Sequence, residues 1–322
     1  MSPTFTPTTT DDEVATAFSN EIKGKNVLIT GTSINGLGFQ AAQTIAKYAN
    51  LVIITGHSAE RLKLAEDALK TAVPGANIRP LILNLASLDA VRKAATEVNA
   101  YPEHIDILIN NAASSICGFH LTPDGFEQQL ATAHLGPFLF TALIFPRVLA
   151  AHTSSFTPRV INVASGAHAW CEGINLAELA RPKEDTYAGM RAYAQAKTAN
   201  ILMARELTRR AGGRVVGFSL TPGAVLTNFV QNEGARPELL AKGIILEDGS
   251  PNPNTPFPWK TLPQGAATIL AAAFDPSLND KPGAYLANSV ENNAGVAPHA
   301  SDAGTAEKLW TLSEQLVGVK FL

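Results

Sequence analysis

Tyr193 and Lys197 lie four residues apart, a spacing that places two side chains on the same face of a helix. A nearby cation favours the phenolate, so we expect Lys197 to lower the pKa of Tyr193 from its reference value of about 10. Such a tyrosine could donate or accept a proton near neutral pH, as general acid–base catalysis requires. On its own the pair is better explained as a solvated helix face, and the accompanying motifs change that interpretation.

A glycine-rich turn lies between the apolar strand Val27–Thr30 and a helical pattern from Phe39 to Tyr48. Glycines permit a tight turn and a close backbone approach to a diphosphate, while the helix N-terminus supplies oriented N–H groups. The turn therefore predicts dinucleotide binding, with a tight turn that binds no ligand as the alternative. Its candidate cofactor-binding residues are Gly31, Ser33, Asn35, Gly36 and Leu37.

The end of the second predicted strand bears on the choice between NAD and NADP. An acidic side chain there would hold the ribose hydroxyls of NAD and repel a 2′-phosphate. This strand ends in Gly56, His57 and Ser58, with Arg61 a turn later and no carboxylate at the strand end. NADP is therefore favoured over NAD. His57 is a candidate phosphate contact, and a surface loop histidine is the alternative interpretation.

Short apolar strands alternate with helical periodicity from about residue 25 onward, as in the helical segments 59–71 and 88–99. This alternation predicts an α/β protein, a single doubly wound parallel sheet of Rossmann type with helices on both faces. Ligands of such sheets bind at the carboxyl ends of the strands. The predicted strands are 27–30, 51–55, 79–83, 105–109, 160–163 and 214–220.

Three segments describe the domain organisation. Residues 1–20 are rich in Thr, Pro and acidic residues and are predicted to form a flexible N-terminal arm. Residues 21–322 are predicted to form one catalytic domain, with a substrate-loop insertion at about 229–263. The insertion is rich in Pro and Gly, a composition that fits either a functional lid or a disordered segment.

The composition limits the classes of function. A hydrophobic content of 46% with 16% charged residues is typical of a chain with a large core. A net charge of −3 gives no electrostatic basis for binding nucleic acid or an anionic membrane. The two cysteines lack metal-ligand spacing, and the longest apolar stretch is too short to span a bilayer. We expect a cytoplasmic protein without a metal or a membrane span.

Together the motifs resemble the short-chain dehydrogenase/reductase family across residues 24–319, and the C-terminal part resembles its retinol-dehydrogenase-like branch. The resemblance rests on an ordered set of motifs, which are the glycine turn, Asn110–Ala113, Ser165, the Tyr193/Lys197 pair and Pro222–Thr227. The branch is indicated by Pro263–Thr268, Gly283–Leu286 and Leu309–Leu316.

The resemblance implies an oxidoreductase that transfers a hydride between nicotinamide and a carbonyl or secondary alcohol. Tyr193 would exchange the proton, Lys197 would lower its pKa and bind the nicotinamide ribose, and Ser165 would orient the substrate oxygen. From its position alone, a serine after a strand is more often an ordinary turn residue. His168 is a weaker candidate for the same pocket. The further cofactor-binding residues that the resemblance implies are Asn84, Leu85, Asn111, Ala112, Ala113, Pro222, Gly223, Val225 and Thr227.

Three positions depart from the family pattern. The glycine turn has one extra residue before Gly36, Ala113 replaces a glycine, and Ala133 replaces an asparagine that helps to hold a proton-relaying water. Thr132, His134 or a rearranged water could serve that relay. The alternatives are a cofactor-dependent enzyme of non-redox type, catalysing dehydration, cyclisation or epimerisation, and a silent NADP-binding scaffold.

The aromatic residues of the insertion, Phe257 and Trp259, together with Leu262 suggest a small lipophilic or aromatic substrate, although they could instead pack on the core. Relatives are commonly dimers or tetramers, so a homodimer or homotetramer is expected from the resemblance.

Overall fold

The protein is described here by a computed structural model of residues 4–322. Within these residues, eight strands form one sheet in the order β10-β9-β6-β5-β4-β1-β2-β3, in which only the pairing of β9 with β10 is antiparallel. A separate two-stranded sheet pairs β7 with β8. The strands are β1 (Asn26–Ile29), β2 (Leu51–Gly56), β3 (Ile78–Ile82), β4 (Ile107–Asn110), β5 (Arg159–Val163), β6 (Val216–Thr221), β7 (Ala224–Val225), β8 (Trp259–Lys260), β9 (Tyr285–Ala287) and β10 (Val290–Glu291).

The strand order reverses at β1, which pairs with β2 on one side and with β4 on the other. Val27 lies opposite Val52 in β2 and Ile107 in β4. The chain leaves β1 and β4 in opposite lateral directions, which opens a crevice at their carboxyl ends. The glycine turn follows β1, so the fold places the predicted dinucleotide-binding residues at this crevice.

Helices cover both faces of the sheet. Alternate strand residues face opposite sides, so that Val27 and Ile29 pack with α1, α3, α4 and α11, whereas Leu28 packs with α5, α7, α9 and α12. The predicted doubly wound sheet is thereby confirmed. The helices are α1 (Asp11–Ala17), α2 (Ser19–Ile22), α3 (Leu37–Ile45), α4 (Ala59–Ala72), α5 (Leu88–Asn99), α6 (Gln128–Leu130), α7 (Gly136–Leu149), α8 (Leu176–Ala180), α9 (Gly189–Ala211), α10 (Arg236–Ala241), α11 (Leu262–Phe274) and α12 (Ala303–Val317).

A π-helical turn, Ala131–Leu135, joins α6 to α7 into one continuous helical segment. In the part of the chain that the structure describes, this segment is the one helix whose length and apolar composition would suffice to cross a membrane. However, 67% of its most apolar window is buried inside the fold. Its apolar surface is therefore explained by packing between the sheet and α5.

The N-terminal segment differs from the flexible arm predicted for residues 1–20. Residues 1–3 lie outside the described residues, and the remainder includes α1 and α2, which pack on α3 and α11. Thr10 and Glu13 form a reciprocal capping box at the start of α1, and Val14 and Phe18 are buried. The Asp11 carboxylate accepts hydrogen bonds from Gln40 and Thr44 of α3. The prediction of a flexible arm is wrong for these residues. Buried apolar side chains such as Val14 and the buried Asp11 carboxylate hold the segment against the rest of the fold.

The predicted insertion at about 229–263 also contains regular structure. It includes α10 and ends in β8, which pairs with β7 directly after the β6 strand. Hydrogen bonds from Asn252 Nδ2 to the Gly243 carbonyl and from Trp259 Nε1 to the Asn252 carbonyl connect its Pro-rich part internally. The segment is thus folded against the carboxyl end of the sheet.

The buried Asp11 provides a test of the packed N-terminal segment. Its carboxylate accepts from Gln40 Nε2 at 2.9 Å and from Thr44 Oγ1 at 2.8 Å. Asp11→Ala leaves these two buried donors without their acceptor, so we expect the free energy of unfolding to fall by about 1–3 kcal/mol. Denaturant unfolding measures this change.

Asp12→Ala is the matched control, since the neighbouring Asp12 side chain is 62% exposed and forms a surface ion pair with Lys47. Its loss should cost well under about 1 kcal/mol. Equal stabilities of the two variants would contradict the packed arrangement of α1.

Candidate active site

The three residues predicted to be catalytic meet at the carboxyl end of β5. Ser165 lies two residues after β5 and caps the 3-10 turn Gly166–Trp170. Tyr193 and Lys197 project from one face of α9, with Lys197 Nζ 5.6 Å from the centre of the Tyr193 ring. The Tyr193 side chain lies beside that of Ser165, and Lys197 Nζ donates to the Val163 carbonyl at 2.8 Å.

Burial determines the protonation of this cluster. It raises the pKa of Tyr193 to about 12, although the Ser165 side chain beside it acts in the opposite direction. Burial also lowers the pKa of Lys197 to about 8. The expectation that the lysine lowers the tyrosine pKa is wrong for the net shift, because removing the phenolate from water raises the pKa more than the Ser165 side chain lowers it. Tyr193 is therefore a neutral O–H donor at neutral pH.

This arrangement can bind and protonate an oxygen atom. Two hydroxyl groups from different elements, Ser165 and Tyr193, converge beside a partly buried position at the strand ends. Both can donate a hydrogen bond to an incoming carbonyl oxygen, and the tyrosine can transfer its proton. The Lys197 ammonium nearby stabilises negative charge that develops on either oxygen.

The glycine turn is held against β4 by close backbone contacts. Gly31 has a φ of +72°, and a Cβ there would lie 2.8 Å from Ala112 Cα, so both the conformation and the space require glycine. Asn111 Nδ2 donates to the carbonyls of Thr30 and Gly31, each at 2.9 Å. Asn35 takes the extra position of the turn with a φ of +63°, which asparagine tolerates. The left-handed backbone conformation of Asn35 thus accommodates the extra residue of the turn.

The helix that follows the turn fits a phosphate group. Among the described residues, no side chain caps the N-terminus of α3, where Gly36 precedes Leu37. By contrast, Ser58 and Ser87 cap α4 and α5. Free N–H groups and the helix dipole at a strand switch point favour an anion, and Ser33 is exposed beside them. The residues present therefore fit the diphosphate of a dinucleotide.

The adenine end of the predicted cofactor site lies along β2 and β3. His57 is exposed at the end of β2, next to Ser58, whose Oγ accepts from the Arg61 N–H at the start of α4. Asn84 is exposed after β3, and its Oδ1 accepts from the Ala86 N–H at 3.1 Å. Leu85 is buried beneath it. These residues line the crevice side of the sheet at the position that the sequence predicted.

The nicotinamide end is built by the segment after β6. Pro222 and Gly223 turn the chain, and β7 then carries Val225 against the helical glycine Gly265 of α11. A Cβ on Gly265 would lie 2.6 Å from Val225 Cγ2 and 2.8 Å from Leu37 Cδ2, so this glycine brings the two predicted cofactor segments together. Thr227 is buried at the end of the segment.

The two alanine departures are accommodated differently. Ala113 packs against the apolar cluster that contains Leu130 and Ala133, so its methyl group adds to the core. Ala133 lies in the π-helical turn, and its carbonyl accepts from Asn200 Nδ2 at 2.7 Å. Asn200 is a residue that the sequence analysis missed, although its position three residues after Lys197 on the same helix was visible.

The relay candidates next to Ala133 do not reach Lys197 in the described structure. His134 Nε2 is hydrogen-bonded to Ser313 Oγ of α12 at 2.8 Å, and burial lowers the pKa of His134 to about 4. Thr132 Oγ1 accepts from Gln128 Nε2 one turn earlier. Of the options named for the relay, His134 is thus bonded to α12 and neutral.

His168 contacts the backbone of Ser165 and lies outside the pocket. Its Nδ1 is 2.7 Å from the Ser165 carbonyl, and its Nε2 accepts from the Ala297 N–H at 3.1 Å. Because Nε2 is an acceptor, Nδ1 carries the proton and donates to Ser165. Burial lowers the pKa of His168, which agrees with a neutral ring. His168 thereby fixes the backbone of the serine loop.

The segment after β7 that includes Phe229 and α10, hereafter the cover, lies over Tyr193. The Phe229 ring is 5.0 Å from the Tyr193 ring, and Ser115 Oγ donates to the Phe229 carbonyl at 2.8 Å. The carboxylate of Glu238 in α10 accepts from the Met190 N–H at the start of α9. The covering segment is therefore attached both to the loop after β4 and to the helix that carries Tyr193.

The cover and α9 enclose an apolar group of side chains, hereafter the apolar wall. Its members are buried or partly buried and pack together in one cluster. They lie on the cover, in the loop after β4 or at the start of α9. They are Ile116, Met190, Phe229, Val230, Leu239, Leu240, Ile244, Ile245 and Trp259. Trp259, one of the insertion residues noted in the sequence, belongs to the apolar wall. The Phe257 ring packs edge-on against the Trp259 ring.

Comparisons with known proteins agree with this geometry. A family model described as short chain dehydrogenase matches residues 25–173. Short-chain dehydrogenase TIC 32 A, chloroplastic, from Brassica napus is 33% identical over 93% of this chain and 90% of its own length. Retinol dehydrogenase 13 from Mus musculus is 34% identical over 92% of this chain and 85% of its own length. A solved structure of an uncharacterised protein from Mycobacterium paratuberculosis is 28% identical, with a TM-score of 0.68 and coverage of 94% of this chain and 98% of its own.

The buried ammonium group of Lys197 can be measured directly. We expect it to lose its proton near pH 8, because burial removes water from the charged form and leaves the Val163 carbonyl as its hydrogen-bond acceptor. NMR of protein labelled with ¹³C at lysine Cε follows the titration, and Lys197→Met assigns the resonance. The exposed Lys93, whose pKa is raised by Asp89, is the internal control. A Lys197 midpoint above about 10, the value of an unperturbed lysine, would contradict the inferred burial.

Proposed function

The chain belongs to the short-chain dehydrogenase/reductase family, near its retinol-dehydrogenase-like branch, and we propose that it is an NADP-dependent oxidoreductase of small lipophilic or aromatic compounds. As a member of this family it acts on CH–OH or C=O groups with NAD or NADP. The proposal specifies NADP, the class of substrate and Tyr193 as the residue that exchanges the proton. Carbonyl reduction and alcohol oxidation are the two directions of the same reaction.

The position of Tyr193 beside Ser165 is the observation that carries the proposal. It brings two O–H groups together at the carboxyl end of β5, where ligands of this fold bind. Ser165 orients the substrate oxygen, and Tyr193 donates its proton to that oxygen during reduction or accepts it during oxidation. A bound nicotinamide would supply or accept the hydride.

Lys197 acts on the charge that this proton transfer produces. Its ammonium group carries a positive charge below about pH 8, whereas Tyr193 stays protonated well above that pH. As the tyrosine gives up its proton, the ammonium stabilises the developing phenolate in a site with little water. The cation therefore stabilises the transition state more than the resting site, where burial keeps the tyrosine neutral.

The apolar wall supports a lipophilic or aromatic substrate. Phe229 contacts the tyrosine ring itself, and Ile116 and Met190 approach from the loop after β4 and from α9. Ligand pockets typically combine an apolar lining with a few polar groups that fix orientation. Here Ser165 and Tyr193 would provide the polar groups, so we propose a substrate with one carbonyl or hydroxyl group on an apolar body.

The end of β2 supports NADP over NAD. His57 and Arg61 are exposed beside the N-terminus of α4, and the residues at the strand end carry no carboxylate. A 2′-phosphate there would lie near Arg61, in a first helical turn that also carries Glu60. A cytoplasmic location and a homodimer or homotetramer remain predictions from the sequence and the family resemblance.

Turnover of a carbonyl panel tests the proposed reaction. We expect NADPH oxidation with apolar ketones or aldehydes, and Tyr193→Phe should lower kcat by at least about 100-fold, because it removes the proton donor while retaining the ring. The loss is measured by NADPH absorbance under saturating substrate.

Tyr187→Phe is the matched control, since the Tyr187 hydroxyl donates to Glu127 at the start of α6. It should retain kcat within about threefold. Full activity of Tyr193→Phe would show that another group donates the proton.

The choice of nucleotide is tested at the end of β2. His57→Asp introduces a carboxylate that repels a 2′-phosphate and can bind ribose hydroxyls. We expect the ratio of the NADPH and NADH dissociation constants to shift toward NADH by at least about tenfold. Fluorescence titration measures both constants.

Lys70→Gln is the control for the change in net charge, because it removes one positive charge at the opposite end of α4. It should leave the ratio unchanged. An unchanged ratio in His57→Asp as well would contradict the proposed NADP preference of this strand end.

A further inference from the structure

The peptide group that follows Ser165 is held at both of its polar atoms. The Ser165 carbonyl accepts from His168 Nδ1 at 2.7 Å and from the His168 N–H at 3.2 Å. On the other side, the Gly166 N–H donates to Thr221 Oγ1 at 3.1 Å. His168 belongs to the serine loop itself, which is Ser165 with the 3-10 turn Gly166–Trp170. Thr221 therefore supplies the contact that fixes this loop from a neighbouring strand.

The Ser165 side chain is oriented by the same turn. Its Oγ accepts from the Ala167 N–H at 3.1 Å. A hydroxyl group has one proton to donate and two lone pairs that accept, so Ser165 keeps its proton for a substrate oxygen. The direction of this O–H group therefore depends on where the backbone of the serine loop is held.

Thr221 connects the serine loop to the nicotinamide end of the predicted cofactor site. It is the last residue of β6, and Leu220 before it lies opposite Val163 at the end of β5. Thr221 Oγ1 accepts a second hydrogen bond, from the Gly223 N–H at 3.2 Å. Gly223, with a φ of +85°, belongs to the turn that opens the segment at the nicotinamide end. One hydroxyl oxygen thus uses both of its lone pairs to join the two segments.

The exposure of these groups separates geometry from stability. Gly166 and Gly223 are exposed, and Thr221 is half-buried. If the hydroxyl group were removed, water could accept from either N–H group, so little stability would be lost. Water would not hold the two segments to one another, however, because each N–H group would bind its own solvent molecule. The hydroxyl group of Thr221 therefore matters for the separation of the two segments more than for folding.

We propose that Thr221 is a positioning residue for the reaction, holding Ser165 in register with the nicotinamide end of the cofactor site. Hydride transfer requires that the substrate carbonyl, which Ser165 orients, approach the nicotinamide within a narrow range of distance and angle. A common acceptor for both segments keeps that approach fixed. The catalytic consequence rests on the proposed function, whereas the contacts of Thr221 do not depend on it.

Two variants test the hydroxyl group. Thr221→Val keeps the branched shape and removes the acceptor, whereas Thr221→Ser keeps the acceptor and removes the methyl group. We expect kcat for NADPH-dependent carbonyl reduction to fall by about tenfold in Thr221→Val, with the NADPH dissociation constant within about twofold. Thr221→Ser should retain kcat within about threefold. The melting temperatures of both variants should stay within about 2 °C of the unaltered protein, which a purely structural role would not allow.

Amide hydrogen exchange in the cofactor-free protein tests the contacts without turnover. In protein labelled with ¹⁵N-glycine, the exchange of Gly166 and Gly223 should accelerate together by about fivefold or more in Thr221→Val, and should remain slow in Thr221→Ser. Acceleration at only one of the two glycines, or at neither, would contradict the bridge. If Thr221→Val does not fold, Thr221→Ala removes the same acceptor with less bulk and takes its place.

Thr153→Val is the matched control. Thr153 Oγ1 accepts from the Ser155 N–H at 3.3 Å in the exposed turn before β5, at the amino end of the sheet. The variant should change neither kcat nor the exchange of the two glycines. Unchanged kcat in Thr221→Val, or an equal loss in Thr221→Val and Thr221→Ser, would overturn the inference. Absence of turnover by the unaltered protein would instead count against the proposed function, while amide exchange would still decide whether Thr221 joins the two segments.

Discussion

The site depends on how closely α9 packs against β5 and β6. A Cβ on Gly217 of β6 would collide with the Ala204 carbonyl of α9, so helix and strand backbones touch directly. Thr208 bonds to the same glycine, and Asn162 of β5 bonds to the Asn200 carbonyl. Lys197, further along the same helix, is almost fully buried. The ammonium group that α9 carries must therefore find its partner in the protein, which it does at the Val163 carbonyl.

The same close packing determines the electrostatic character of the site. Desolvation acts on both ionisable groups in the direction that disfavours charge, so the tyrosine is held neutral and the lysine loses part of its preference for the charged form. The cover strengthens this effect, because Phe229 lies on the tyrosine ring and Glu238 attaches α10 to the first turn of α9.

The fold and the arrangement of the site were predictable where local pattern and burial coincide. Apolar β-branched runs such as 51–55 became strands of the sheet, and the spacing of Tyr193 and Lys197 placed them on one face of α9. The packed N-terminal helices were missed because Thr- and Pro-rich composition masked a capping box, Thr10 with Glu13, that is readable in the sequence. The pKa direction of Tyr193 was missed because spacing indicates which groups are neighbours but not how much water remains between them. Asn200 was missed because its partner is a backbone carbonyl 67 residues away in the chain.

The departures at the π-helical turn make physical sense as a set. An alanine at position 133 supplies no amide, and a proline at position 137 deprives the Ala133 carbonyl of its α-helical donor. The proline removes a backbone hydrogen bond of the helix. Asn200 offsets this loss, since its Nδ2 donates to the Ala133 carbonyl at 2.7 Å. Ala133 was the one feature of the sequence that favoured a non-redox enzyme or a silent scaffold. Ser165, Tyr193 and Lys197, the residues proposed for the proton step, are nevertheless retained together at the end of β5, and this favours oxidoreduction.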